Sequence, residues 1–447
     1  MLISKRKRQI IRRCDWYNGK GRVHIDQRLP KPDAFRLVSD PAAVARHDFL
    51  PLISFTKRER RYKREPGKKK PIAATKERRL AYPSNRDGYI FAYYAERLNV
   101  LYEAELKRRG LADSVVGYRK GSSNIDRALE AFREIQARGE CGAVCLDIKG
   151  FFDNISHEVL KTCWSSLLGG GQLFLDHYKV FRALTKYATM DRTELLTRLG
   201  RPAKTRDRDL PRPLCSIDCF RRLRGDKSAR SKLVSTHKEG HGIPQGTPLS
   251  AAAANISMLE FDTAVKAAAD ACGGSYRRYS DDILILCAPE HIAFLEAEVE
   301  RALKAHGKTL QLNAGKREEA RFSKPGPALI PCPVTGGFKP LQYLGFTFDG
   351  RRVLIRSGTL VRYYRRMRTG VRVAKLRAKL AKLGEIKGRK KKLHKREALA
   401  RHSHLGTRSF VSGYARLSAG KMGNVGERTI PKQLSRHMEI LRERLRV

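Results

Sequence analysis

The sequence predicts an α+β fold, in which an antiparallel sheet is combined with several helices. Alternating and apolar residues flank two adjacent aspartates from Tyr276 to Leu286, which predicts a β-hairpin with the acids at or beside its turn. A second apolar strand begins near Ala143 and ends at Asp147. Helical periodicity runs from Asp87 to Arg109, and it recurs with a strongly basic character from Val361 to Ala400.

The composition favours nucleic acid as the partner. The chain has 447 residues, enough for several lobes with a core, and its 93 Lys and Arg against 45 Asp and Glu give a formal net charge of +48. Neutralisation of phosphates supplies most of the non-specific affinity for nucleic acid. No apolar run is long enough to span a bilayer, and the basic N-terminus lacks a signal-peptide segment. With nine scattered cysteines, these features predict a cytoplasmic protein without membrane association.

The N-terminal half begins with basic segments. Residues 1–48 are polar and basic, so we expect an N-terminal extension with a limited core, with a disordered tail as the alternative. A dense basic run follows from Phe49 to Pro83, and the apolar stripe of Asp87–Arg109 is expected to be core. Residues 160–240 form a long connection whose second part is rich in Arg, Lys and Asp, so we expect an insertion that contacts RNA.

Three stretches are most informative when taken together. They are Ala143–Ile155, which contains Asp147 and an aromatic pair, the Gly/Pro loop Gly242–Ser250, and Tyr279-Ser280-Asp281-Asp282. In this order they resemble motifs A, B and C of reverse transcriptases. The resemblance implies a right-hand polymerase with fingers, a palm built from an antiparallel sheet plus helices, and a mostly helical thumb. It also implies RNA-directed DNA synthesis.

The chemistry of nucleotide addition accounts for the acidic residues. A 3′-hydroxyl attacks an α-phosphate, and two Mg²⁺ ions about 3.5–4 Å apart clamp the attacking and leaving oxygens. Mg²⁺ prefers carboxylate oxygens. We expect Asp147 and Asp281 to be the principal ligands and Asp282 to support them, because neighbouring strand residues point to opposite faces. For this stretch alone, the alternative is that Asp-Asp only makes the turn.

The resemblance also assigns residues to the nucleotide. Arg78–Pro83 resembles the family's Arg-x-Ile-x-x-Pro element, which implies that Arg78, and with it Lys76, holds the incoming triphosphate. Gln245 in the motif B loop is assigned to the same site. The aromatic residue five positions after the motif A aspartate is the family's steric gate against ribonucleotides, and here it is Phe152; the alternative gives that role to Phe151.

Further stretches resemble elements that contact nucleic acid. Gly117–Asn124 resembles a stretch that lies near the template, which implicates Arg119 and Lys120. Leu310–Lys316 resembles motif D, which implies that Lys316 lies near the leaving pyrophosphate, although a solvent-facing lysine remains an alternative. Leu341–Gly350 resembles motif E, the primer grip, with Tyr343, Leu344 and Gly345 at its centre; an ordinary hairpin would also fit these residues.

The C-terminal region is predicted to be a basic thumb. From Val361 to Ala400 there are sixteen Lys or Arg against two Glu, with leucines and valines at helical spacing. Such basic amphipathic helices are expected to follow the backbone of the template–primer. The four residues assigned to this contact are Lys375, Arg377, Lys379 and Lys382. The predicted domains are therefore the 1–48 extension, fingers and palm at 49–350 with the insertion at about 160–240, and the thumb and C-terminal region at 351–447.

Several stretches are similar to one branch of the family, the bacterial antiviral or defence-associated reverse transcriptases, and closest to the type 2 group. They are Phe55–Lys57, Asp87–Ala95, Tyr118–Asp126 and Gly150–Asn154. The resemblance implies a stand-alone enzyme that uses two Mg²⁺ ions and dNTPs. It would copy a structured non-coding RNA encoded beside it into DNA, with tandem-repeat cDNA as the expected product, and protect the cell against phage. The oligomeric state is not implied.

Two alternative functions remain open. The first is a reverse transcriptase of a mobile element, of the group II intron or retron type. The second is a basic RNA-binding protein with an inactive palm, against which the intact Asp147, Asp281 and Asp282 argue.

A loose zinc-site pattern also occurs in the chain. Cys215-x3-Cys219 is followed by His237-x3-His241. The gap between the two pairs is longer than is usual for a zinc finger. We therefore predict no zinc.

Overall fold

The computed structural model describes residues 16–63, 72–121, 123–226, 232–307, 309–323, 330–332, 340–384, 393–426 and 429–446. The strands are β1 (Leu52–Lys63), β2 (Ile72–Tyr82), β3 (Cys141–Asp147), β4 (Ala188–Asp191), β5 (Val234–Thr236), β6 (Ser275–Tyr279), β7 (Asp282–Cys287), β8 (Glu318–Ser323), β9 (Ile330–Cys332), β10 (Leu341–Tyr343), β11 (Phe346–Phe348) and β12 (Val353–Ile355).

The helices before the β6–β7 hairpin are α1 (Lys31–Ser39), α2 (Pro41–Ala45), α3 (Asn85–Arg108), α4 (Asn124–Arg138), α5 (His157–Leu167), α6 (Leu175–Thr185), α7 (Arg192–Arg198), α8 (Ile217–Gly225), α9 (Ser250–Ser257) and α10 (Leu259–Ala271). Those after it are α11 (Ile292–Ala305), α12 (Ser357–Lys382), α13 (Lys395–His402), α14 (Arg416–Gly426), α15 (Thr429–Gln433) and α16 (His437–Leu445). Short 3₁₀ turns occur at Phe151–Asn154, Asp207–Asp209, Pro289–His291 and Ala314–Lys316, and a π-helical turn occurs at Val411–Ala415.

The mixture of helices with mainly antiparallel sheets confirms the predicted α+β class. The chain divides into two compact units. The first contains 16–118, Ile148–Ala264 and Val299–Gln311. The second contains Arg119–Asp147, Val265–Glu298 and Leu312–Val447.

A five-stranded sheet forms the centre of the second unit. Its strand order is β6-β7-β3-β8-β9, and each neighbouring pair is antiparallel. One side of this sheet is covered by α4, which starts with a capping box in which Ser123 and Asp126 satisfy each other's backbone N–H groups. Phe132 on α4 is fully buried and stacks on Phe348 at 4.8 Å between ring centroids. The apolar core is therefore continuous behind the strands that carry the aspartates.

The predicted thumb helix belongs to the same unit. The long helix α12 covers most of the predicted basic segment, and α13 follows it; residues 385–392 lie outside the described residues. Tyr363, Met367 and Val371 recur at helical spacing and are buried in the core that also contains Phe346 and Phe348. This apolar stripe fixes one face of α12 and leaves its basic residues on the others.

The first unit contains a four-stranded sheet of order β2-β1-β4-β5. Strands β1 and β2 form a long antiparallel hairpin, paired from Ile53↔Tyr82 to Lys63↔Ile72. Its connecting residues 64–71, which hold part of the predicted basic run, lie outside the described residues. Strand β4 pairs with β1 in parallel, and β5 pairs with β4 antiparallel. Both β4 and β5 come from the insertion, so the insertion extends the sheet begun by the hairpin.

The N-terminal segment and the insertion share a hydrophobic core. Val23 and Ile25 are buried with Ile53 of β1 and with Met190, Leu195 and Phe220 of the insertion. The backbone N–H of Leu214 donates to the carbonyl of His24 at 2.8 Å. We expected residues 1–48 to have a limited core or to be disordered; in the described part, residues 16–48, the segment instead contributes several buried side chains.

Among the helices that the structure describes, none combines the length and the apolar character needed to cross a bilayer.

Candidate active site

The predicted strands bring two of the aspartates directly together. Strand β3 ends at Asp147 and β7 begins at Asp282, and the register pairs these two residues. Residues paired across an antiparallel ladder project their side chains to the same face of the sheet. Asp282 therefore shares a face with Asp147. Asp282 was expected only to support Asp147 and Asp281, since neighbouring residues of one strand point to opposite faces; the pairing of β7 with β3 places it beside Asp147 instead.

A strained turn carries the third aspartate. Tyr279 pairs with Asp282, so Ser280 and Asp281 form the two-residue connection between β6 and β7. Ser280 has a φ of 63°, which is uncommon for residues other than glycine, and Ser280 is buried. The guanidinium of Arg278, itself fully buried, donates from Nη1 to the carbonyl of Ser280 at 3.2 Å. The turn that presents Asp281 is thus held from inside the protein.

Two residues from the predicted motif D segment contact Asp147. The side-chain amide of Asn313 donates to Oδ1 of Asp147 at 3.1 Å, and its backbone N–H donates to the Asp147 carbonyl at 2.8 Å. The ammonium of Lys316 forms an ion pair with both carboxylate oxygens of Asp147. Lys316 was expected near the leaving pyrophosphate; the structure places it on a candidate metal ligand.

The carboxylate of Asp282 is sensitive to burial and to its two acidic neighbours. Partial burial by the surrounding protein, followed by the negative charges of Asp281 and Asp147, raises the pKa of Asp282 to about 7, although part of the Asp282 side chain reaches solvent. Lys316 and Arg356 act in the opposite direction. Neighbouring carboxylates disfavour each other's charged forms, and a cation bound between them removes this penalty.

The donor chemistry of these carboxylates fits Mg²⁺. Hard oxygen ligands are those that Mg²⁺ prefers, and it commonly binds to proteins through one or two carboxylates while keeping water and substrate phosphates in its shell. In the described part of the chain, no three acidic, His or Cys side chains already converge closely enough to hold a metal. At Asp147, the ammonium of Lys316 provides the compensating positive charge.

The residues predicted to hold the triphosphate belong to the first unit. Lys76 and Arg78 are two residues apart on β2, and the register pairs them with Glu59 and Lys57 of β1. These four side chains therefore share one face of the hairpin, which carries three cations and one carboxylate. Nη1 of Arg78 lies 3.1 Å from Glu59, and Nζ of Lys57 lies 3.0 Å from the same carboxyl group. This face of the hairpin keeps an excess of positive charge, although the guanidinium of Arg78 forms an ion pair with Glu59.

The predicted motif B loop is tied to two neighbouring segments of the first unit. The carbonyl of Gln245 accepts a hydrogen bond from the N–H of Ala81 on β2 at 2.8 Å. The N–H of Ile243 donates to the carbonyl of Phe152 at 2.9 Å. His157 Nε2 lies 2.7 Å from the carbonyl of Gly242. Three of the predicted nucleotide-binding elements, β2, the Gln245 loop and the turn at Phe152, are thereby joined.

The two aromatic residues after Asp147, Phe151 and Phe152, differ in their exposure to solvent. Phe151 is only 3% exposed, whereas Phe152 is half-buried. The ring of Phe152 makes an edge contact with Tyr118, with centroids 6.5 Å apart, and Tyr118 is 45% exposed. Phe152 is therefore the member of the pair that can be reached from outside the core.

The predicted primer grip is a tight hairpin. Tyr343 pairs with Phe346 across the β10–β11 turn, and Leu344 and Gly345 both have positive φ, as a type I′ turn requires. The carbonyl of Leu344 accepts a hydrogen bond from Asn124 at 2.9 Å. Tyr343 is buried in the core, so its side chain is a packing element and only the turn itself, Leu344–Gly345, remains for contact with a primer.

The other residues predicted to bind nucleic acid lie at or near the surface. Arg119 is half-buried and Lys120 is exposed, just before α4. Lys375, Arg377, Lys379 and Lys382 all lie on α12, and the last three are exposed.

The residues of the Cys/His pattern make contacts within the protein. His237 Nε2 lies 2.7 Å from the carbonyl of His241, and the His237 ring stacks on Tyr187 at 4.7 Å between centroids. Burial raises the pKa of the Cys215 thiol to about 11, with a further contribution from Cys219. The absence of zinc remains a prediction.

Sequence reasoning missed Arg278 and Asn313. A buried arginine inside an alternating strand has no local signature, since Arg277 and Arg278 look equally polar in the sequence. Asn313 lies within the segment that resembles motif D, and only its contact with Asp147 identifies its role.

Substitution of Gly246 tests the packing of the Gln245 loop. Gly246 has a φ of +117°, and a Cβ atom there would lie 2.7 Å from the carbonyl oxygen of Ala81. We expect Gly246→Ala to lower the free energy of unfolding by about 1–3 kcal/mol from backbone strain, with a further loss from the contact. Gly200→Ala is the matched control, since Gly200 has a φ of +67° and nothing within 4 Å of the added Cβ.

Urea denaturation of both glycine variants measures this difference. Gly200→Ala should lose about 1–2 kcal/mol, the cost of the left-handed conformation alone. An equal loss in the two variants would show that the approach of the loop to β2 is not tight.

Comparisons with known proteins found distant structural likeness only. No protein-family model matches the chain, and no curated protein matches it. Among solved structures, apo telomerase from Candida tropicalis truncated from its C-terminal domain matches with a TM-score of 0.42 and 12% identity, covering 72% of this chain and 59% of that chain. Apo telomerase from Candida tropicalis matches with a TM-score of 0.39 and 11% identity, covering 86% of this chain and 61% of that chain.

A further solved structure is also similar to the chain. Telomerase from Candida albicans in complex with a TWJ fragment of telomeric RNA matches with a TM-score of 0.38 and 13% identity, covering 92% of this chain and 65% of that chain. The chain thus spans less than two thirds of the length of the telomerases it matches.

Proposed function

We propose that this chain is an RNA-directed DNA polymerase. The observation that carries the proposal is the pairing of Asp147 with Asp282 at adjacent strand ends, beside the strained turn that bears Asp281. The negative charges of Asp281 and Asp147, which act on Asp282 in addition to its burial, support a role as ligands of divalent cations.

Asp147, Asp281 and Asp282 would hold the Mg²⁺ ions in this proposal. The chemistry that Mg²⁺ supplies at such a site is activation of the attacking hydroxyl and neutralisation of charge at the phosphate. Asn313 orients the Asp147 carboxylate through its 3.1 Å hydrogen bond. Lys316 forms an ion pair with Asp147 and would add positive charge beside the carboxylates that hold the metal ions.

The resemblance assigns the nucleotide contacts of this proposal to residues that lie in the first unit. Lys57, Lys76 and Arg78 share one face of the β1–β2 hairpin and would attract the triphosphate. The half-buried ring of Phe152 would limit the space beside the sugar, while the Gln245 loop fixes the backbone around it.

The narrower proposal concerns the template and the biological role. The resemblance to defence-associated reverse transcriptases supports a structured non-coding RNA as template, tandem-repeat cDNA as product and protection against phage. The formal charge of +48 supports extensive contact with a polyanion. Sequencing of the RNA and cDNA recovered with the protein from cells tests this proposal, and a product copied from an intron or retron RNA would favour the mobile-element alternative.

Primer extension tests the catalytic proposal. Purified protein is given an RNA template with an annealed DNA primer, dNTPs and Mg²⁺, and a parallel reaction contains a chelator. We expect extension that requires both the template and the metal. Tight RNA binding without extension under any divalent metal would instead support the RNA-binding alternative, to which the ion pair of Lys316 with Asp147 lends some support.

A further inference from the structure

A basic groove lies in the thumb region of the second unit. It has a volume of about 920 Å³, at the upper end of the range for ligand pockets. One wall is a face of α12, and the other is formed by residues around α15 and α16. We call it the thumb groove, and its seven cationic residues are Arg365, Arg368, Arg372, Lys375, Lys432, Arg436 and Arg444.

The described residues that line the thumb groove carry an excess of positive charge. No acidic residue is among the described residues that line it. Arg436 pairs with Glu439 at 3.1 Å, but both side chains are mostly exposed, so this pair screens little of the total. Within the described part of the chain, Arg368 and Arg372 have no carboxylate partner. Such a concentration of like charge costs stability unless an anion occupies the groove.

The arginines form a stripe on one side of α12. Arg365, Arg368, Arg372 and Lys375 recur at spacings of three and four residues, which places them on one helical face next to the buried stripe of Tyr363 and Met367. Lys375 is anchored by a 2.6 Å hydrogen bond from Nζ to the carbonyl of Arg446. The spacing of about 6 Å per helical turn sets cations in a row, as a phosphate backbone requires.

The floor of the thumb groove is aromatic and apolar. Tyr364 lines it together with Val361, Val371 and Ile440. The Tyr364 ring is half-buried and packs against Tyr363 with centroids 5.0 Å apart. Burial raises the pKa of the Tyr364 phenol, so the ring stays neutral. A neutral ring between cations offers a stacking surface for a base.

We propose that the thumb groove binds a single-stranded RNA segment, with phosphates on the α12 arginines and a base against Tyr364. Single strands combine backbone charge with bases free to stack, which matches both features of the groove. A duplex keeps its bases paired and would leave the aromatic floor unused. The choice of RNA over DNA rests on the proposed function, because the template of that enzyme is RNA.

Two double variants of α12, each of which removes two positive charges, test whether the thumb groove binds RNA. Arg368→Gln/Arg372→Gln removes two charges from the groove wall, and Arg362→Gln/Arg366→Gln removes two exposed charges with the same spacing from the same helix outside it. Fluorescence anisotropy measures the binding of labelled oligouridylate without Mg²⁺ or dNTPs. We expect about tenfold weaker binding in the groove variant. Its log–log salt slope should shrink by about 1.4, since each phosphate contact on a single strand contributes about 0.7.

Variants of Tyr364 test the stacking. Tyr364→Leu should weaken oligouridylate binding by about tenfold, within the range for loss of one base stack, whereas Tyr364→Phe should retain it. An equal loss in the two arginine pairs would overturn the proposal, because the effect would then be that of general surface charge. The proposal would also be overturned if the groove variants lost as much affinity for blunt duplex RNA as for oligouridylate, or if they lost affinity only for oligothymidylate DNA.

The assay separates this proposal from the catalytic one. Binding is measured without metal or nucleotide, so an inactive palm would not affect it. Extension of a short template–primer by the wild-type protein tests the polymerase alone. Thermal melting of each variant confirms that it is folded before binding is compared.

Discussion

Asp147→Asn and Asp281→Asn are each expected to abolish dNTP incorporation, with a loss of about a thousandfold or more. Two-metal clamping of the reacting oxygens supplies several kcal/mol of transition-state stabilisation, and about 4 kcal/mol corresponds to a factor of a thousand. Asparagine keeps the shape of aspartate but lacks its charge, so the cation loses a ligand while packing is retained. Single-turnover primer extension measures the loss.

Asp270→Asn provides a matched control for these variants. Asp270 lies on α10, and its carboxylate pairs with the neighbouring Lys266 in an i,i+4 contact. The control should keep full activity. RNA binding should be nearly unchanged in all three variants, because the basic surfaces are untouched. Activity within tenfold of wild type in Asp147→Asn or Asp281→Asn would contradict the metal assignment.

Thermal stability gives a second readout that does not depend on catalysis. A ligand that binds only the folded state stabilises it by RT ln(1 + [L]/Kd). The melting temperature of the wild type and of Asp270→Asn should therefore rise with Mg²⁺ concentration. Asp147→Asn should lose this response. A persistent rise in Asp147→Asn would place the responsible metal elsewhere.

The elements that carry the aspartates were predictable because their signals are local. Alternation into Tyr279 and the apolar run after Asp282 define the two strands of a hairpin, and the structure has β6 and β7 at these positions. The apolar strand that ends at Asp147 was predicted for the same reason. The basic amphipathic pattern likewise predicted α12, since its buried residues recur at helical spacing.

The remaining features depend on contacts between distant segments. Val23 and Phe220 share a core although almost 200 residues separate them, and no local pattern in the basic N-terminus reveals such a partner. Cross-strand register decides that Asp282 faces the same way as Asp147, and a single strand cannot show it. The contact of Lys316 with Asp147 was missed for a similar reason, because it forms only when the segment after α11 returns to the sheet.

Phe152→Val is expected to relax the choice between deoxyribonucleotides and ribonucleotides. The half-buried ring of Phe152 would crowd the space beside the sugar's 2′ position, where a ribonucleotide carries an extra hydroxyl. Burying an unsatisfied hydroxyl costs about 1–3 kcal/mol, and at about 1.4 kcal/mol per factor of ten this gives roughly 5- to 150-fold discrimination. The ratio of kcat/KM for dNTP over rNTP should fall by this factor, through better use of rNTP.

Phe151→Val distinguishes the gate from general damage to the motif A turn. Phe151 is buried, so its truncation leaves a cavity and lowers stability without opening space beside the sugar. We expect it to leave the dNTP/rNTP ratio unchanged, even where total activity falls. The Phe152 backbone is held by the hydrogen bond from Ile243, so Phe152→Val should keep the turn and most dNTP use. If Phe151→Val changes the ratio instead, or if Phe152→Val only loses activity with both substrates, Phe152 is not the gate.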